Sequence, residues 1–474
     1  MPQDNKLDQK KTIHLMGICG TAMASLAGLL KEMGYQVRGS DQNVYPPMST
    51  KLQALGIPIL EGYKPENLVP RPDQVIVGNV MTRVNPEVQA LLGSDIPYTS
   101  LPQALGEFVI RDRHSVVVTG THGKTTTTAM AAWVLEKAGL QPGFLIGGVP
   151  LNFPQTFSLG TGNYFVIEGD EYDTAFFDKV PKFIHYKPRT AILTSIEFDH
   201  ADIYKDLEAV KAAFKLLLKL IPTDGHLIFN GEDENIRSIL SSTKCLNTQS
   251  YGLHSGDWRL GNIRWEEKFS EFEVLYKAEK VDTVRAGVFG EYNLLNALSV
   301  YAMARNLGVS PENIREAFLT FKGVKRRQEI IGQPKDITII DDFAHHPTAV
   351  AVTIDGVRKR FSRSKIIAVF EPRSATSRRK VFQHDYAKAL SLADQVIVSV
   401  PYDQSKISED ERFDSQALID EIKKLTPNLP ATVGRSVDEI VASIVQEAVP
   451  GNVVLLMSNG GFGGIYQKLL QKFS

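Results

Sequence analysis

A glycine-rich segment at residues 120–126 has the sequence GTHGKTT and follows an apolar run at residues 115–119. Backbone N–H groups of such a turn, followed by a helix N-terminus, form an anion site. Lys124 would supply positive charge near the β- and γ-phosphates, and the Thr125 hydroxyl is the expected Mg²⁺ ligand. The strict phosphate-loop pattern has a glycine where this chain has Val118, so the segment predicts a shortened loop that binds ATP. The residues predicted to contact nucleotide are Gly120, Thr121, His122, Gly123, Lys124, Thr125 and Thr126.

Two groups of charged side chains follow other predicted strands. Residues 168–173 read EGDEYD and residues 197–202 read EFDHAD. Carboxylates crowded at the end of a strand repel one another unless a cation is near. The carboxyl ends of the strands are also where open α/β sheets bind ligands. A hard cation prefers oxygen ligands, so Glu168 is a candidate for Mg²⁺. His200, between carboxylates, could bind a metal or transfer a proton. The alternatives are a solvated acidic loop and a structural histidine.

The first glycine-containing turn, residues 17–22 (GICGTA), follows a predicted strand and begins a predicted helix. With Asp41 further along the chain it is close to a dinucleotide fingerprint, so a dinucleotide-dependent oxidoreductase is one alternative. Cys19 stands where that fingerprint has its second glycine, which weakens this alternative. The diphosphate of a UDP-sugar would equally favour a helix N-terminus. Cys19 is expected to be a packed small residue and not a nucleophile.

Bulk composition narrows the classes of protein. The 474 residues include 53 basic and 54 acidic residues, for a net charge of −1. This balance gives no reason to expect nucleic acid or an anionic membrane as a partner, and two cysteines exclude a disulfide framework. The polar N-terminus lacks the apolar core of a signal peptide, and no apolar run reaches bilayer length. We therefore expect a cytoplasmic protein that is a monomer or a weak homo-oligomer.

Strand and helix patterns alternate in three consecutive segments, which predicts an α/β fold with three domains. The predicted domains are a Rossmann-like N-terminal domain (residues 1–107), a central P-loop ATPase domain with a parallel sheet (108–321) and a Rossmann-like C-terminal domain (322–474). Residues 252–288 predict an antiparallel edge on the central sheet. The main predicted strands are residues 12–16, 35–38, 74–77, 115–119, 164–167, 190–195, 337–340, 365–370, 395–400 and 453–457.

Six motifs occur in an order that covers essentially the whole chain. They are residues 120–127, residues 168–173, Asp199-His200-x-Asp202, Asn293-x-x-Asn296, Arg326-Arg327 and residues 341–348 (DDFAHHPT). In this order they resemble the Mur ligase family, which builds the peptide of bacterial cell-wall precursors. The resemblance implies an N-terminal domain for a UDP-sugar, a central domain for ATP and a C-terminal domain for the incoming amine.

The resemblance also implies roles for particular residues. The catalytic set would be Lys124, His200, Arg327 and Asp342, with Thr125, Glu168 and His200 serving Mg²⁺. Asn293 and Asn296 would face the adenine, Arg327 the phosphates, and Asp342 the ribose or phosphate region. The UDP-sugar would contact Gly17, Ile18, Cys19, Gly20, Thr21 and Asp41. The peptide would contact His345, His346, Arg373, Ser374, Asn459 and Gly460. A proline-bounded turn with solvated imidazoles is the alternative reading of the two histidines.

Five segments indicate a subgroup of the family: residues 17–23 (GICGTAM), 44–49 (VYPPMS), 174–179 (TAFFDK), 371–374 (EPRS) and 457–464 (MSNGGFGG). They are similar to the member that joins UDP-N-acetylmuramate to the murein tripeptide L-alanyl-γ-D-glutamyl-meso-diaminopimelate in peptidoglycan recycling, with ATP and Mg²⁺. One alternative is the ligase that adds L-alanine to the same UDP-sugar in de novo peptidoglycan synthesis. A nucleotide-binding switch is an alternative of another class.

Overall fold

Three sheets follow one another along the chain in the computed structural model. The structure describes residues 11–46, 48–201 and 203–474. Residues 1–10, Pro47 and Asp202, on which parts of the predictions fell, lie outside the described residues.

The first sheet is wholly parallel, in the order β3-β2-β1-β4-β5. Its strands are β1 (Thr12–Met16), β2 (Gln36–Asp41), β3 (Ile59–Glu61), β4 (Gln74–Val77) and β5 (Tyr98–Ser100). Its helices are α1 (Thr21–Glu32), α2 (Met48–Ala54), α3 (Pro86–Leu92) and α4 (Leu101–Ala104), with a π-helical turn at Leu105–Ile110.

The second sheet has ten strands in the order β15-β14-β13-β12-β11-β10-β6-β9-β7-β8. Its first strands are β6 (His114–Thr119), β7 (Gly143–Leu145), β8 (Phe157–Ser158), β9 (Tyr164–Gly169) and β10 (Thr190–Leu193). The others are β11 (His226–Asn230), β12 (Asn247–Gly252), β13 (Trp258–Trp265), β14 (Ser270–Tyr276) and β15 (Glu279–Ala286). Strands β13–β15 pair antiparallel, as do β7 and β8, and the remaining pairs are parallel. The helices are α5 (Lys124–Lys137), α6 (Leu207–Leu220), α7 (Glu234–Ile239), α8 (Glu291–Asn306) and α9 (Pro311–Thr320).

The third sheet has the order β16-β17-β21-β18-β19-β20 and is parallel except for the β16–β17 pair. Its strands are β16 (Glu329–Gly332), β17 (Thr338–Asp342), β18 (Ile366–Phe370), β19 (Gln395–Ser399), β20 (Ala431–Gly434) and β21 (Val453–Met457). Its helices are α10 (Pro347–Arg360), α11 (Gln383–Leu390), α12 (Ser415–Leu425), α13 (Val437–Glu447) and α14 (Ile465–Phe473). Strands β18 and β21 are apolar throughout and fully buried, as expected where helices cover both faces of a parallel sheet.

The predicted fold class is confirmed, including the antiparallel edge within residues 252–288. Strands β1, β4 and β21 have the predicted bounds. Strand β10 is shorter than predicted because Thr194 and Ser195 leave the sheet to hydrogen-bond the loop after β6. The predicted domain limits fall between the sheets, and they stay predictions. In the part of the chain that the structure describes, no helix is both long and apolar enough to cross a membrane.

The first two sheets share a hydrophobic core. Leu26 and Leu29 of α1 belong to the same buried cluster as Phe157 and Phe165 of the second sheet. The contact is close enough that a Cβ atom on Gly28 of α1 would lie 2.1 Å from Cζ of Phe157. Helix α1 is therefore held against the second sheet, which fixes the position of its N-terminus.

A tight approach of backbone also fixes the turn before α1. A Cβ atom on Gly39 of β2 would lie 2.4 Å from the Leu15 carbonyl oxygen and 2.7 Å from Cβ of Ile18. Because the first obstacle is backbone, we expect Gly39→Ala to destabilise the protein by about 1–3 kcal/mol and to lower its melting temperature. Gly93→Ala is the matched control, since Gly93 has φ −82° and only ordinary contacts around it. Equal melting temperatures for Gly39→Ala and the wild type would contradict this account.

Candidate active site

The loop between β6 and α5 has a conformation that requires glycine at two positions. Gly120 has φ +130° and Gly123 has φ +82°. A Cβ atom on Gly123 would lie 2.4 Å from the Tyr292 hydroxyl oxygen and 2.8 Å from Oδ1 of Asn296. The loop therefore lies directly against α8, at a distance that no other residue type allows.

The segment after β10 fixes the other side of this loop. The Ser195 carbonyl accepts the Thr121 N–H at 2.9 Å, and the Thr194 hydroxyl donates to the His122 carbonyl at 2.6 Å. The Glu197 N–H in turn donates to the Thr121 hydroxyl at 2.8 Å. These hydrogen bonds fix the loop through contacts within the protein, which is the preorganisation that an anion site requires.

Lys124, at the start of α5, lies among buried carboxylates. Its Nζ donates to the Gly120 carbonyl at 2.6 Å and to Oε2 of Glu171 at 3.1 Å, and it lies 3.8 Å from Oδ1 of Asp170. Burial lowers the pKa of Lys124, but Glu171 and Asp170 outweigh that effect and the net direction is upward. Lys124 is therefore a permanent cation at the loop.

Thr125 and Glu168 form the candidate site for the predicted Mg²⁺. The Thr125 hydroxyl donates to Oε2 of Glu168 at 2.9 Å, and the Gly147 N–H donates to Oε1 at 2.6 Å. Burial, followed by repulsion from Asp170, raises the pKa of Glu168. These are hard oxygen donors with negative charge that a cation would stabilise, so the residues fit Mg²⁺.

His200 lies on the same side of the sheet but contacts a different carboxylate. Its Nε2 is 3.8 Å from Oε1 of Glu171, and its ring lies 4.9 Å from the Tyr172 ring. Its backbone has φ +53°, a left-handed conformation that is uncommon for a non-glycine residue. The structure thus places His200 next to the partner of Lys124 and not against Thr125 or Glu168.

The two predicted adenine residues have different environments. Asn293 lines the cavity above the loop, and its Nδ2 donates to the Phe289 carbonyl at 2.9 Å. Asn296 is 1% exposed and lies beneath Gly123. Asn293 can therefore contact a ligand directly, whereas Asn296 supports the loop from below.

Arg327 and Asp342 belong to the third unit and lie beside the phosphate loop. Nη2 of Arg327 is 3.5 Å from the Thr125 hydroxyl oxygen, and its guanidinium lies over the Phe343 ring at 4.6 Å. Oδ2 of Asp342 accepts the Gln328 N–H at 2.7 Å. Burial raises the pKa of Asp342, while Arg327 opposes that rise. Both side chains line the cavity, as the resemblance implies.

The two neighbouring histidines of the third unit are both largely shielded from solvent, but they point to different places. His345 lines the cavity, and its Nδ1 is 3.0 Å from the Phe343 carbonyl oxygen. His346 is 3% exposed, and its ring lies 4.8 Å from the His122 ring. Burial lowers the pKa of His345, and it lowers the pKa of His346 to about 4. His346 is therefore buried and His345 is half-buried, so the alternative of solvated imidazoles does not hold for His346.

The other predicted peptide residues form one cluster at the carboxyl ends of β18 and β21. A Cβ atom on Gly460 would lie 2.0 Å from Nε of Arg373, so the arginine rests directly on the glycine backbone. The Arg373 guanidinium also stacks over the Tyr402 ring at 3.9 Å, and its Nη1 is 3.5 Å from Oε1 of Glu371. Ser374 follows Arg373, where its hydroxyl bonds Ser377. Asn459 has a buried Oδ1 without a hydrogen-bond partner among the described residues.

The first turn uses its own N–H groups within the fold. The N–H groups of Gly17 and Ile18 both donate to the Ser40 carbonyl, and the Gly20 N–H donates to the Gly17 carbonyl. The Cys19 N–H donates to Oδ2 of Asp41 at 2.8 Å. The Ile18 side chain is fully buried, and burial with the Asp41 charge raises the pKa of Cys19 to about 11. Of the predicted UDP-sugar residues, Thr21 lines the cavity. It begins α1, where first-turn N–H groups lack intrahelical partners.

One cavity of about 420 Å³ brings together the phosphate loop, Glu168, His200, Arg327, Asp342 and His345. The cluster around Arg373 does not line this cavity. Its walls are the N-terminus of α1, the loop between β6 and α5, the segment after β9, and the segment after β17. Several functional candidates were not predicted from the sequence. Lys182, whose Nζ is 2.9 Å from Oδ2 of Asp170, and Tyr292 both line it. Neither belongs to a recognisable chemical motif, and only the neighbouring Asn293 could have drawn attention to Tyr292.

Comparison with known proteins identifies the class. Family models match three consecutive parts of the chain: Mur ligase family, catalytic domain (residues 12–113), Mur ligase middle domain (118–304), and Mur ligase, glutamate ligase domain (326–460). The chain therefore belongs to the Mur ligase family. The prediction of a ligase is confirmed, and the switch and oxidoreductase alternatives are wrong.

Individual relatives cover nearly the whole chain. A UDP-N-acetylmuramate–L-alanyl-γ-D-glutamyl-meso-2,6-diaminoheptandioate ligase of Escherichia coli (strain K12) is 44% identical over 463 residues, 97% of each chain. A UDP-N-acetylmuramate–L-alanine ligase of Clostridium botulinum (strain Okra / Type B1) is 32% identical over 461 residues, also 97% of each chain. The crystal structure of a murein peptide ligase from Psychrobacter arcticus 273-4 has 40% identity and a TM-score of 0.71, and 98% of each chain is covered.

Asp170 makes the stability of this site depend on pH. Burial opposes its ionisation, but Lys182 and Lys124 outweigh burial and lower its pKa to about 2. Because this folded-state pKa is below the unfolded value of about 3.9, the carboxylate stabilises the fold above that pH. The contribution is lost as the pH falls from about 4 to about 2.

We expect Asp170→Asn to destabilise the protein by about 2 kcal/mol at neutral pH. Melting temperatures measured across the acid range should converge with those of the wild type as Asp170 becomes protonated. Asp173→Asn is the control, because Asp173 pairs with an exposed Lys179 and such pairs contribute about 0–1 kcal/mol. A difference between Asp170→Asn and the wild type that stays constant down to the lowest pH would contradict the assignment.

Proposed function

We propose that this protein is an ATP-dependent ligase that joins UDP-N-acetylmuramate to L-alanyl-γ-D-glutamyl-meso-diaminopimelate. The observation that carries the proposal is the single cavity to which all three sheets contribute a wall. A ligation of this kind must bring together a nucleotide, a carboxylate and an amine. Sequence identity favours the tripeptide as the amine substrate, because this chain is 44% identical to the tripeptide ligase and 32% identical to the L-alanine ligase.

In this proposal the loop between β6 and α5 binds the ATP phosphates through backbone N–H groups and Lys124. Thr125 and Glu168 would hold Mg²⁺, with His200 as a further residue of the same cavity. When bound, Mg²⁺ neutralises part of the phosphate charge. Asn293, which lines the cavity, would contact the adenine side of the nucleotide, and Asn296 would keep the loop in position.

The first chemical step activates the carboxylate. A carboxylate does not react with an amine at neutral pH, because oxide would have to leave. A lactyl carboxylate oxygen of UDP-N-acetylmuramate attacks the γ-phosphorus of ATP, a new O–P bond forms, and the bond to ADP breaks. Lys124 and Arg327 stabilise the charge on the transferred phosphoryl group. Arg327 is suited to this role because it reaches Thr125 from the third sheet.

The second step forms the amide. The L-alanyl amine of the tripeptide attacks the acyl carbon, the C–N bond forms, phosphate leaves, and the amine gives up a proton. In this proposal His345 accepts that proton. Its Nδ1 faces a carbonyl oxygen, which can only accept, so Nδ1 carries the hydrogen and Nε2 is free to act as a base. Its lowered pKa keeps the ring neutral.

An acyl phosphate must be protected from water. Hydrogen bonds hold the third unit against the second, among them two that threonine hydroxyls of the third unit donate. The Thr348 hydroxyl donates to Oε2 of Glu197 at 2.7 Å, and the Thr376 hydroxyl donates to Oδ1 of Asp199 at 2.7 Å. We infer that these contacts form when the third unit closes over the second. The UDP-sugar would bind at the N-terminus of α1, next to Thr21.

Phosphate release tests the proposal. Purified protein with ATP, Mg²⁺ and UDP-N-acetylmuramate is supplied in parallel with tripeptide or L-alanine. We expect release with the tripeptide only, and at least a hundredfold loss in Lys124→Ala, because the cation at the γ-phosphate is removed. Lys137→Ala is the matched control, since Lys137 lies on the same helix and pairs with Glu316 at the surface. Release with L-alanine only would keep the chemistry and overturn the tripeptide assignment.

Arg373 is the residue that we expect to recognise a carboxylate of diaminopimelate through a forked pair of hydrogen bonds. Arg373→Ala should therefore lower kcat/KM for the tripeptide by about 10- to 100-fold, mainly through KM, with the KM for ATP unchanged. Arg358→Ala is the control, because Arg358 pairs with Asp394 at the opposite, amino-terminal end of the strands in the third sheet. A tripeptide KM equal to that of the wild type would rule out the pairing.

A further inference from the structure

Three side chains meet beside the phosphate loop: His122 and His346, which were predicted to contact nucleotide and peptide, and Glu197. No step of the proposed reaction uses these side chains. Nε2 of His122 is 3.3 Å from Oε2 of Glu197, and Nδ1 of His346 is 3.5 Å from the same oxygen. One nitrogen or oxygen atom from each residue lies within 4.8 Å of the corresponding atoms of the other two. His122 belongs to the loop, Glu197 follows β10, and His346 precedes α10, so the cluster connects the second and third sheets.

The His346 ring is buried, and its two nitrogen atoms make no hydrogen bond to the described residues. Only 3% of the residue is exposed. The 3.5 Å approach to Glu197 lacks hydrogen-bond geometry. A buried polar group without a partner costs free energy, so a ring aimed at a carboxylate and a second imidazole points to a ligand between them.

We propose that His122, Glu197 and His346 form a binding site for a borderline transition-metal ion of the Zn²⁺ class. Two imidazoles and one carboxylate are a common set of ligands for Zn²⁺ with one open position. Ligand atoms at about 2.1 Å from a tetrahedral Zn²⁺ stand about 3.4 Å apart, close to the 3.3 Å and 3.5 Å seen here. Mg²⁺ prefers oxygen ligands, so this site is distinct from the one at Thr125 and Glu168.

The surroundings support metal binding. The Thr348 hydroxyl donates to Oε2 of Glu197 at 2.7 Å, which orients the carboxylate as an outer partner would. Because the ligands come from two units of the protein, a bound ion would fasten the third unit to the phosphate loop. It would raise the melting temperature and slow ATP turnover.

Cobalt substitution tests the site without relying on ligase activity. Untagged full-length protein is treated with a chelator, exchanged into metal-free buffer and titrated with Co²⁺ and then with Zn²⁺. We expect visible absorption bands of tetrahedral cobalt, abolished by one equivalent of Zn²⁺ per chain. His346→Ala and His122→Asn should each lose the bands, whereas His384→Ala should keep them. His384 is an exposed histidine that pairs with Glu421 and serves as the matched control.

Each outcome decides the proposal. If His346→Ala does not fold, as judged by circular dichroism, His122→Asn gives the answer, because His122 lies in a loop outside the helices and strands. Tetrahedral bands that persist unchanged in a folded His346→Ala or His122→Asn protein would overturn it. So would a wild-type protein that shows no tetrahedral bands, in which case the three residues form a hydrogen-bonded contact between the units and nothing more.

Discussion

The site depends on one interaction, the pairing of the Lys124 ammonium group with buried carboxylates. These groups lie beneath the backbone N–H groups of the phosphate loop. Strands β6 and β9 pair in parallel, with Thr119 opposite Gly169. The phosphate loop and the acidic segment therefore leave the sheet side by side. The cavity is lined by three cations, Lys124, Lys182 and Arg327, and by four carboxylates, those of Glu168, Asp170, Asp199 and Asp342, while Glu171 pairs with Lys124. A triphosphate would add to this excess of negative charge, which is a physical reason for the ligase to bind ATP together with a divalent cation.

The loop after β10 connects this charge balance to the position of the third unit. The Glu197 N–H donates to the Thr121 hydroxyl, and the Glu197 carboxylate accepts the Thr348 hydroxyl. One residue thus contacts both the phosphate loop and the first turn of α10. A displacement of the third unit would act on the phosphate loop through this residue, so nucleotide binding and closure are expected to be coupled. Arg327, which reaches Thr125, adds a second connection.

Much of the fold and the central part of the site could be predicted from the sequence because their signals are local. Glycine spacing, apolar runs and the following lysine identify the phosphate loop within a few residues, and buried strands such as β21 have sharp limits. The positions of Asn296 and Ile18 could not be predicted, because packing against Gly123 and Gly39 decides them. Lys182, Thr348 and the approach of His346 to His122 arise from contacts between distant segments. No periodicity reports such contacts.

The most direct test of the account follows an oxygen atom. UDP-N-acetylmuramate labelled with ¹⁸O in its lactyl carboxylate is incubated with ATP, Mg²⁺, tripeptide and the protein, and the phosphate that forms is analysed by mass spectrometry. If the carboxylate attacks the γ-phosphorus and the amine then displaces phosphate, each phosphate carries one carboxylate oxygen. Phosphate without ¹⁸O would show that no acyl phosphate forms, and it would contradict the central claim that the three units meet to activate a carboxylate.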